Sequence, residues 1–228
     1  PIDVEAVAAE HDLYVLKSGT VAALSLAGLL HEAGARILNP YPAVARMRDK
    51  VLATKVLAAA GLPQPRTYLA SEPAQLADAL ALGPIVVKPH RGSQGRGVVV
   101  VRTPEELAAI PSDGEILFAQ EFCPPEGRDH KIYRIGDAYF GVMRVFPART
   151  YEDKLGEPFE VSGELREMAD RCDEAFGIDL FGLDVIMSRG VPVVIDVNTF
   201  PGFKGVPNAG TLLADYIRDH AADSEVLR

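Results

Sequence analysis

The chain contains 228 residues, of which 48% are hydrophobic and 24% charged, and its formal net charge is −9. These values suit a folded, enzyme-sized unit, and a chain this long buries most of its apolar surface without cross-links. The acidic balance argues against a general nucleic-acid-binding protein, which needs a broad basic face. The apolar run at 21–30 is too short to cross a bilayer. Two cysteines provide neither a disulfide framework nor a zinc cluster. We therefore expect a cytoplasmic protein with no membrane or nucleic-acid partner.

The first 42 residues have the pattern of a β-α-β unit. A strand is predicted at 12–17, an apolar helix at 20–33 that ends at Gly34, and a second strand at 36–39. One such unit is too small for a domain, because parallel strands need neighbours and cover on both faces. We interpret residues 1–42 as the end of a larger N-terminal α/β layer.

Residues 43–121 are predicted to form a first α+β subdomain. Gly61 and two following prolines end a helix at 44–60, because they favour a helix stop. The other predicted elements are helices at 72–82 and 104–110 and strands at 84–89, 98–102 and 116–122.

Residues 122–228 are predicted to form a second α+β subdomain. Its predicted elements are strands at 131–135, 138–145, 181–188 and 192–197 and helices at 164–176 and 211–220. The polar stretch at 147–159 is expected to be a mobile loop. Helices and strands do not alternate regularly after residue 84, which favours the α+β class over a plain parallel sheet.

The first candidate site is the glycine-rich segment HRGSQGRG at 90–97, which follows a strand that carries Lys88. Its central residues are Gly92, Ser93, Gln94 and Gly95. Glycines let backbone N–H groups approach a phosphate, and such turns form concave anion sites. The segment is neither a Walker loop nor a Rossmann fingerprint, because it lacks GK[ST] and a strand follows it. A phosphate-binding lid and a solvated hairpin tip are the two alternatives.

The second candidate site is the predicted hairpin that carries Asp184, Asp196 and Asn198. Side chains alternate along a strand, so Asp196 and Asn198 project from the same face. Buried carboxylates are unfavourable unless they are paired or bind a metal, and oxygen ligands of this type suit Mg²⁺. In the alternative interpretation, Asp196 faces water at a strand end and Asn198 forms the following turn.

The metal site sets a condition on how the two strands pair. In an antiparallel hairpin, the numbers of any two opposed residues add up to the same value. A two-residue turn at 189–190 makes this value 379. Asp184 is then opposite Ile195, and the side chains of Asp184 and Asp196 lie on different faces of the sheet. A three-residue turn with a sum of 380 places Asp184 opposite Asp196. A β-bulge that shifts the count by one has the same effect. The metal interpretation requires one of these two arrangements.

These segments resemble the ATP-grasp superfamily in type and order. The resemblance rests on Lys50 in RDK, Lys88 before a glycine-rich hairpin, AQEF at 119–122, Asp184, and DVNTFPG at 196–202. ILNPYPAVARMRDK at 37–50 and AGLPQPRT at 60–67 resemble the RimK-type glutamate ligases, which commonly have Glu where this chain has Asp196. HKIYRIGDAYFGVMR at 130–144 and the hairpin sequences are more similar to the inositol polyphosphate kinases, whose glycine loop is longer.

The resemblance implies an ATP-grasp fold, in which two α+β subdomains grip ATP and residues 1–42 are the remnant of a preceding α/β domain. It implies that Lys50 and Lys88 hold ATP phosphates. It also implies one or two Mg²⁺ ions, with Mn²⁺ as a substitute, held by Asp184, Asp196 and Asn198. The implied adenine hinge consists of Gln120, Glu121, Phe122 and Cys123. The implied ribose ligand is Glu126 or Asp129, and the implied acceptor-binding or transition-state charges are Lys131 and Arg144.

Two reactions and one non-catalytic role are compatible with this resemblance. In a ligase, a substrate carboxylate attacks the γ-phosphate of ATP and an amine captures the acylphosphate. In a kinase, an inositol hydroxyl is the acceptor. We expect the ligase, since it is the more common use of this architecture. Its partner is a small molecule or peptide with carboxylate and amine groups. An ATP-binding regulator is the third hypothesis, and a homo-oligomer is an open alternative to a monomer.

Overall fold

The computed structural model describes residues 2–89, 97–111, 114–146, 148 and 150–222. The candidate residues Gly92, Ser93, Gln94 and Gly95 of the predicted lid therefore lie outside the described residues. The described helices are Val21–Glu32 (α1), Tyr41–Arg48 (α2), Lys50–Ala59 (α3), Ala77–Ala81 (α4), Pro104–Ala108 (α5), Gly163–Phe176 (α6) and Ala209–Ala222 (α7). The described strands are Tyr14–Val15 (β1), Ile37–Leu38 (β2), Thr67–Ala70 (β3), Ile85–Pro89 (β4), Val99–Val101 (β5), Leu117–Glu121 (β6), Arg128–Ile135 (β7), Ala138–Val145 (β8), Glu157–Phe159 (β9), Leu180–Ser188 (β10) and Val191–Asn198 (β11).

The N-terminal unit has the predicted β-α-β arrangement. Strands β1 and β2 pair in parallel, with Tyr14 opposite Ile37. Thr20 begins α1, because its hydroxyl accepts a hydrogen bond from the N–H of Ala23. Val44 of α2 joins the apolar cluster of this unit, so the unit packs directly on the element that follows it.

A four-stranded antiparallel sheet has the strand order β3-β6-β4-β5. One face is covered by an apolar cluster that includes Leu76, Val87 and Ala119. Because side chains alternate along a strand, Lys88 and Gln120 project from the opposite face. Strand β3 was not predicted, since four residues after a proline are too few for a clear periodic signal.

A five-stranded antiparallel sheet has the strand order β11-β10-β7-β8-β9. Its main core joins Ile132 and Leu183 of the sheet to Cys172 of α6 and Leu57 of α3. A second cluster, in which the sheet packs against α7 and the segment after β11, includes Tyr133 of β7 and Phe203. The mixture of antiparallel sheets and helices confirms the α+β class. The predicted divisions after residues 42 and 121 stay predictions.

The structure corrects the predicted helix at 44–60, which is two helices. Asp49 separates them with an extended backbone, and its carboxylate accepts hydrogen bonds from the N–H groups of Val51 and Leu52. An aspartate at this position stabilises a helix start, because it binds N–H groups that have no partner within the helix. The break makes Lys50 the first residue of α3.

The prediction of a mobile loop at 147–159 is wrong for its last residues. Phe159 of β9 pairs with Gly141 of β8, and its ring packs edge-on against His130 at a centroid distance of 5.3 Å. Three residues are too few to reveal strand periodicity, so only the neighbouring strand identifies this edge. Across the described ranges, the structure contains no helix with the length and apolar character needed to cross a bilayer.

Candidate active site

The β10–β11 hairpin combines a two-residue turn with a bulge. Ser188 pairs with Val191 across the turn, which gives the sum of 379. The register then shifts between Asp184 and Val185, so that Asp184 pairs with Asp196 and Ile195 is the extra residue. The two acids therefore lie opposite each other through the second of the two arrangements that the sequence left open.

Asp184 lies at the centre of a polar network that crosses four adjacent strands. It forms an ion pair with Lys131, which is directly opposite on β7. Nη2 of Arg144 on β8 is 3.5 Å from Oδ1 of Asp184, and the amide of Asn198 on β11 donates to Oδ2 at 3.3 Å. The side chains of Lys131 and Asp184 keep only 7% and 16% of their accessible surface. Water therefore screens this charge pair weakly.

Arg144 is held in place by Asp129, its direct neighbour on β7. Nε of Arg144 donates to Oδ1 at 3.0 Å and Nη2 donates to Oδ2, which makes the pair bidentate. Burial raises the pKa of Asp129 despite these bonds. Burial alone lowers the pKa of Arg144, but its bond to Asp129 and the nearby carboxylates outweigh that effect and raise the pKa. These contacts favour a role for Asp129 in orienting Arg144 over contact with a ribose.

Lys50 and Asp196 approach each other from different elements. Nζ of Lys50 at the start of α3 is 3.9 Å from Oδ1 of Asp196. Loss of hydration raises the pKa of Asp196, and the Lys50 charge acts in the opposite direction. The Asp196 side chain nevertheless keeps 39% of its accessible surface. It is therefore surrounded by protein but still open to a ligand in the cleft.

Lys88 reaches the same cleft from the four-stranded sheet. Its ammonium group donates to Oε1 of Gln120 at 2.7 Å and to the carbonyl of Ile195, the bulge residue, at 3.4 Å. Burial lowers the pKa of Lys88, although the charge of Asp196 raises it in part. The bond to Ile195 joins the two sheets. One cavity is consequently lined by Lys50, Lys88, Gln120 and Asp196 together.

The predicted adenine hinge at 120–123 comprises the last two residues of β6 and the two residues that follow it. The N–H of Glu121 donates to the carbonyl of Arg66, and that of Phe122 donates to the carbonyl of Pro84, both at 2.9 Å. Burial raises the pKa of the Cys123 thiol, which disfavours the reactive thiolate. The adenine contacts stay a prediction for all four hinge residues.

Glu126, the other ribose candidate, lies beside the β10–β11 turn. Its carboxylate accepts a hydrogen bond from the N–H of Gly190 at 2.8 Å, and its own N–H donates to the carbonyl of Met187. These bonds attach the segment after the hinge to the hairpin. A ribose contact at Glu126 stays a prediction.

Two residues that the sequence did not single out hold the segment after β11. The buried amide of Asn39 donates to the carbonyls of Leu180 and Thr199, both at 2.6 Å. Nζ of Lys17 donates to the carbonyls of Phe200 and Pro201, at 2.7 and 2.9 Å. The sequence did contain a signal for Asn39, because it is a polar residue between an apolar strand and a proline. No local signal marks Lys17.

The predicted metal ligands have the donor atoms that a hard cation requires. Mg²⁺ binds through one or two carboxylates and completes its shell with water and phosphate oxygens. In the part of the chain that the structure describes, no three His, Cys, Asp or Glu side chains form a metal-binding group. The set of Asp184, Asp196 and Asn198 therefore depends on an amide oxygen as its third protein donor, and it fits Mg²⁺ in this way.

A family model described as the RimK-like ATP-grasp domain matches residues 47–219. The chain belongs to the RimK-like ATP-grasp family. It is 32% identical over 202 residues to a probable alpha-L-glutamate ligase of Stenotrophomonas maltophilia strain K279a, covering 82% of this chain and 69% of that protein. A probable alpha-L-glutamate ligase of Parasynechococcus marenigrum strain WH8102 is 29% identical over 190 residues. That match covers 77% of this chain, which spans only 41% of the relative.

A solved structure shows the same fold. The ATP-grasp ligase PsnB, complexed with minimal precursor, Mg and ADP, aligns with a TM-score of 0.67 at 21% identity. The alignment covers 87% of this chain and 67% of that one. The predicted ATP-grasp fold and the RimK-like resemblance are confirmed. These comparisons support a carboxylate–amine ligase, and none of them supports the resemblance to inositol polyphosphate kinases.

Proposed function

We propose that this chain carries the catalytic centre of an ATP- and Mg²⁺-dependent carboxylate–amine ligase. One observation carries the proposal: Lys50, Lys88 and Asp196 line a single cavity between the two sheets, and Asp184 lies directly opposite Asp196 on the neighbouring strand. Lysines suit nucleotide phosphates, and paired carboxylates suit a divalent cation that would bind together with the nucleotide. A protein that only senses ATP does not require this complete set.

The residues divide into two groups according to the charges that they meet. Lys50 and Lys88 bind phosphate oxygens of ATP and neutralise charge that spreads during phosphoryl transfer. Asp184, Asp196 and Asn198 would hold Mg²⁺, which would supply further neutralisation of the phosphate charge when bound. Mn²⁺ is a chemically similar substitute. The number of ions is one or two.

Lys131 and Arg144 form the cationic side of the Asp184 network. Both side chains are fixed before substrate binds, Lys131 by Asp184 and Arg144 by the bidentate pair with Asp129. Charges that are held in position need little reorganisation during the reaction, so they stabilise a developing anion effectively. We assign them to the acceptor carboxylate and to the acylphosphate formed from it.

The reaction proceeds in two balanced steps. A substrate carboxylate oxygen bonds to the γ-phosphorus of ATP while the bond from that phosphorus to the bridging oxygen breaks, which yields an acylphosphate and ADP. An amine nitrogen then attacks the acyl carbon, phosphate leaves, and the amine loses a proton. The names of the relatives, probable alpha-L-glutamate ligases, support an acceptor that is an amino acid or peptide with carboxylate and amine groups. The cytoplasmic location and the oligomeric state stay predictions.

Trapping with hydroxylamine tests this proposal. The chain is incubated with ATP, Mg²⁺ and a panel of amino acids, short peptides and inositol phosphates, and hydroxylamine captures any acylphosphate as a hydroxamate. We expect hydroxamate and ADP in equal amounts with a carboxylate acceptor. A phosphorylated inositol without hydroxamate would establish the kinase instead. ATP binding without turnover on any acceptor would favour the regulator.

A further inference from the structure

A chain of three hydrogen bonds connects the edge of the four-stranded sheet to Lys88. The hydroxyl of Thr67 on β3 bonds to the carbonyl of Pro65 at 3.0 Å, and Nε2 of Gln120 on β6 bonds to the same hydroxyl at 3.2 Å. Oε1 of Gln120 then accepts from Nζ of Lys88 at 2.7 Å. Thr67 and Gln120 are directly paired in the sheet, so the two side chains share a face.

The direction of each bond follows from the chemistry of the groups. A backbone carbonyl only accepts, so the Thr67 hydroxyl donates its one hydrogen to Pro65. The hydroxyl oxygen is then an acceptor for Gln120, and the amide must point its NH₂ towards Thr67. This orientation turns the amide oxygen towards Lys88. The reverse orientation would place NH₂ against an ammonium group, where two donors face each other.

Burial makes this orientation matter. Gln120 is only 4% exposed, so water does not replace a lost partner. Lys88 has three N–H donors, and the structure shows two of them bonded, to Gln120 and to Ile195. Among the residues that the structure describes, the third N–H has no partner, and we assign it to a phosphate oxygen in the cavity. The position of the Gln120 oxygen therefore sets where the ammonium group meets a nucleotide.

We infer that Thr67 and Gln120 are positioning residues that orient Lys88 for binding the ATP phosphates. Thr67 fixes the amide orientation of Gln120, and Gln120 fixes the ammonium group of Lys88. This inference rests on the proposed ATP site. Thr67 would affect ATP binding through the side chains of Gln120 and Lys88, without contacting the nucleotide itself.

Thr67→Val tests the inference, because valine keeps the shape of threonine and removes only the hydroxyl. Binding of ATP is measured by titration calorimetry, and adenosine binding by displacement of a fluorescent ATP analogue. We expect about tenfold weaker ATP binding and a higher KM for ATP, which is the loss of roughly one charge-assisted hydrogen bond. Adenosine, which has no phosphate, should bind unchanged, because the side chain of Gln120 bonds to Thr67 and Lys88 and an adenine contact at this residue would use its backbone. Thr67→Ser restores the hydroxyl and should return ATP binding to within about twofold of wild type.

The remaining outcomes overturn the inference or its premise. Unchanged ATP binding in Thr67→Val would show that the hydroxyl does not act on Lys88. Equal weakening of ATP and adenosine would show general distortion of the cleft, as would failure of Thr67→Ser to recover binding. A wild-type chain that does not bind ATP would instead overturn the proposed function. Thermal unfolding of each variant establishes that it is folded.

Discussion

Lys88→Met should weaken ATP binding strongly and change fold stability little. Methionine keeps the long apolar stem of lysine and removes its charge. The hydrogen-bond partners shown for Lys88 are a neutral amide and a neutral carbonyl. Burial also lowers its pKa, so the folded protein disfavours the charged form. The buried charge of Lys88 therefore lowers the free energy of unfolding of the wild-type chain.

The destabilisation caused by burying the Lys88 charge depends on pH in one definite direction. Because the pKa of Lys88 falls below 10.5 on folding, the folded state binds fewer protons than the unfolded chain between the lowered pKa and 10.5. Stability contributed by this group rises with pH across that window. Below the lowered pKa the full cost remains and Lys88→Met removes it, but the variant also leaves the buried Oε1 of Gln120 without its partner. These two effects oppose each other, so the unfolding temperature of Lys88→Met should stay close to that of wild type. As the pH rises towards 10.5, the variant should lose stability relative to wild type.

ATP binding should change far more than stability. Two unit charges 4 Å apart attract by about 4 kcal/mol at an effective dielectric constant of 20, and tenfold in affinity corresponds to about 1.4 kcal/mol. We therefore expect Lys88→Met to weaken ATP binding between about tenfold and about a thousandfold. Titration calorimetry measures the affinity, and thermal unfolding without nucleotide measures the stability.

Lys55→Met is the matched control, because Lys55 is an exposed lysine on α3 and the chemical change is the same. It should leave ATP affinity at the wild-type value. Wild-type ATP affinity in Lys88→Met would refute the reasoning, because Lys88 would then be an ordinary lysine at a strand end. A loss of more than about 3 kcal/mol in the free energy of unfolding of that variant would also refute it, because one unpaired buried oxygen costs less than that and the buried charge would then be stabilising.

Two further variants and one control variant test the β10–β11 hairpin and the charged network around Asp184. Asp196→Asn should reduce turnover about a hundredfold or more, because the metal ion supplies several kcal/mol of transition-state stabilisation. Its unfolding temperature should not fall, since the repulsion between the facing carboxylates is relieved, and retained turnover would contradict the metal assignment. Asp129→Asn breaks the buried pair with Arg144 and should lower the free energy of unfolding by about 3–5 kcal/mol in denaturant titrations. Glu157→Gln removes an exposed pair with Arg128 and should cost about 1 kcal/mol or less. Equal losses in these two variants would mean that burial does not strengthen the Arg144 pair.

Local patterns in the sequence predicted the parts of the site that depend on one strand or one turn. The alternation of side chains placed Asp196 and Asn198 on one face, and the same rule places Lys88 opposite the buried Val87. The β-α-β unit and the α+β class followed from periodicity and from glycine and proline positions. The break at Asp49 had a signal as well, because aspartate is a favoured helix cap. Each of these features depends on residues only a few positions apart.

The tertiary structure decided the contacts that join distant segments. The sequence left two arrangements open for Asp184 and Asp196, and the bulge at Ile195 selected one of them. The ion pair of Lys131 with Asp184 depends on β7 lying beside β10, and the bond from Gln120 to Thr67 depends on β3 lying beside β6. Strand neighbours are chosen by the total apolar surface that a whole sheet buries, and no local pattern encodes that sum. The sequence therefore determined which side chains could form the site, and the packing of the sheets determined which of them meet.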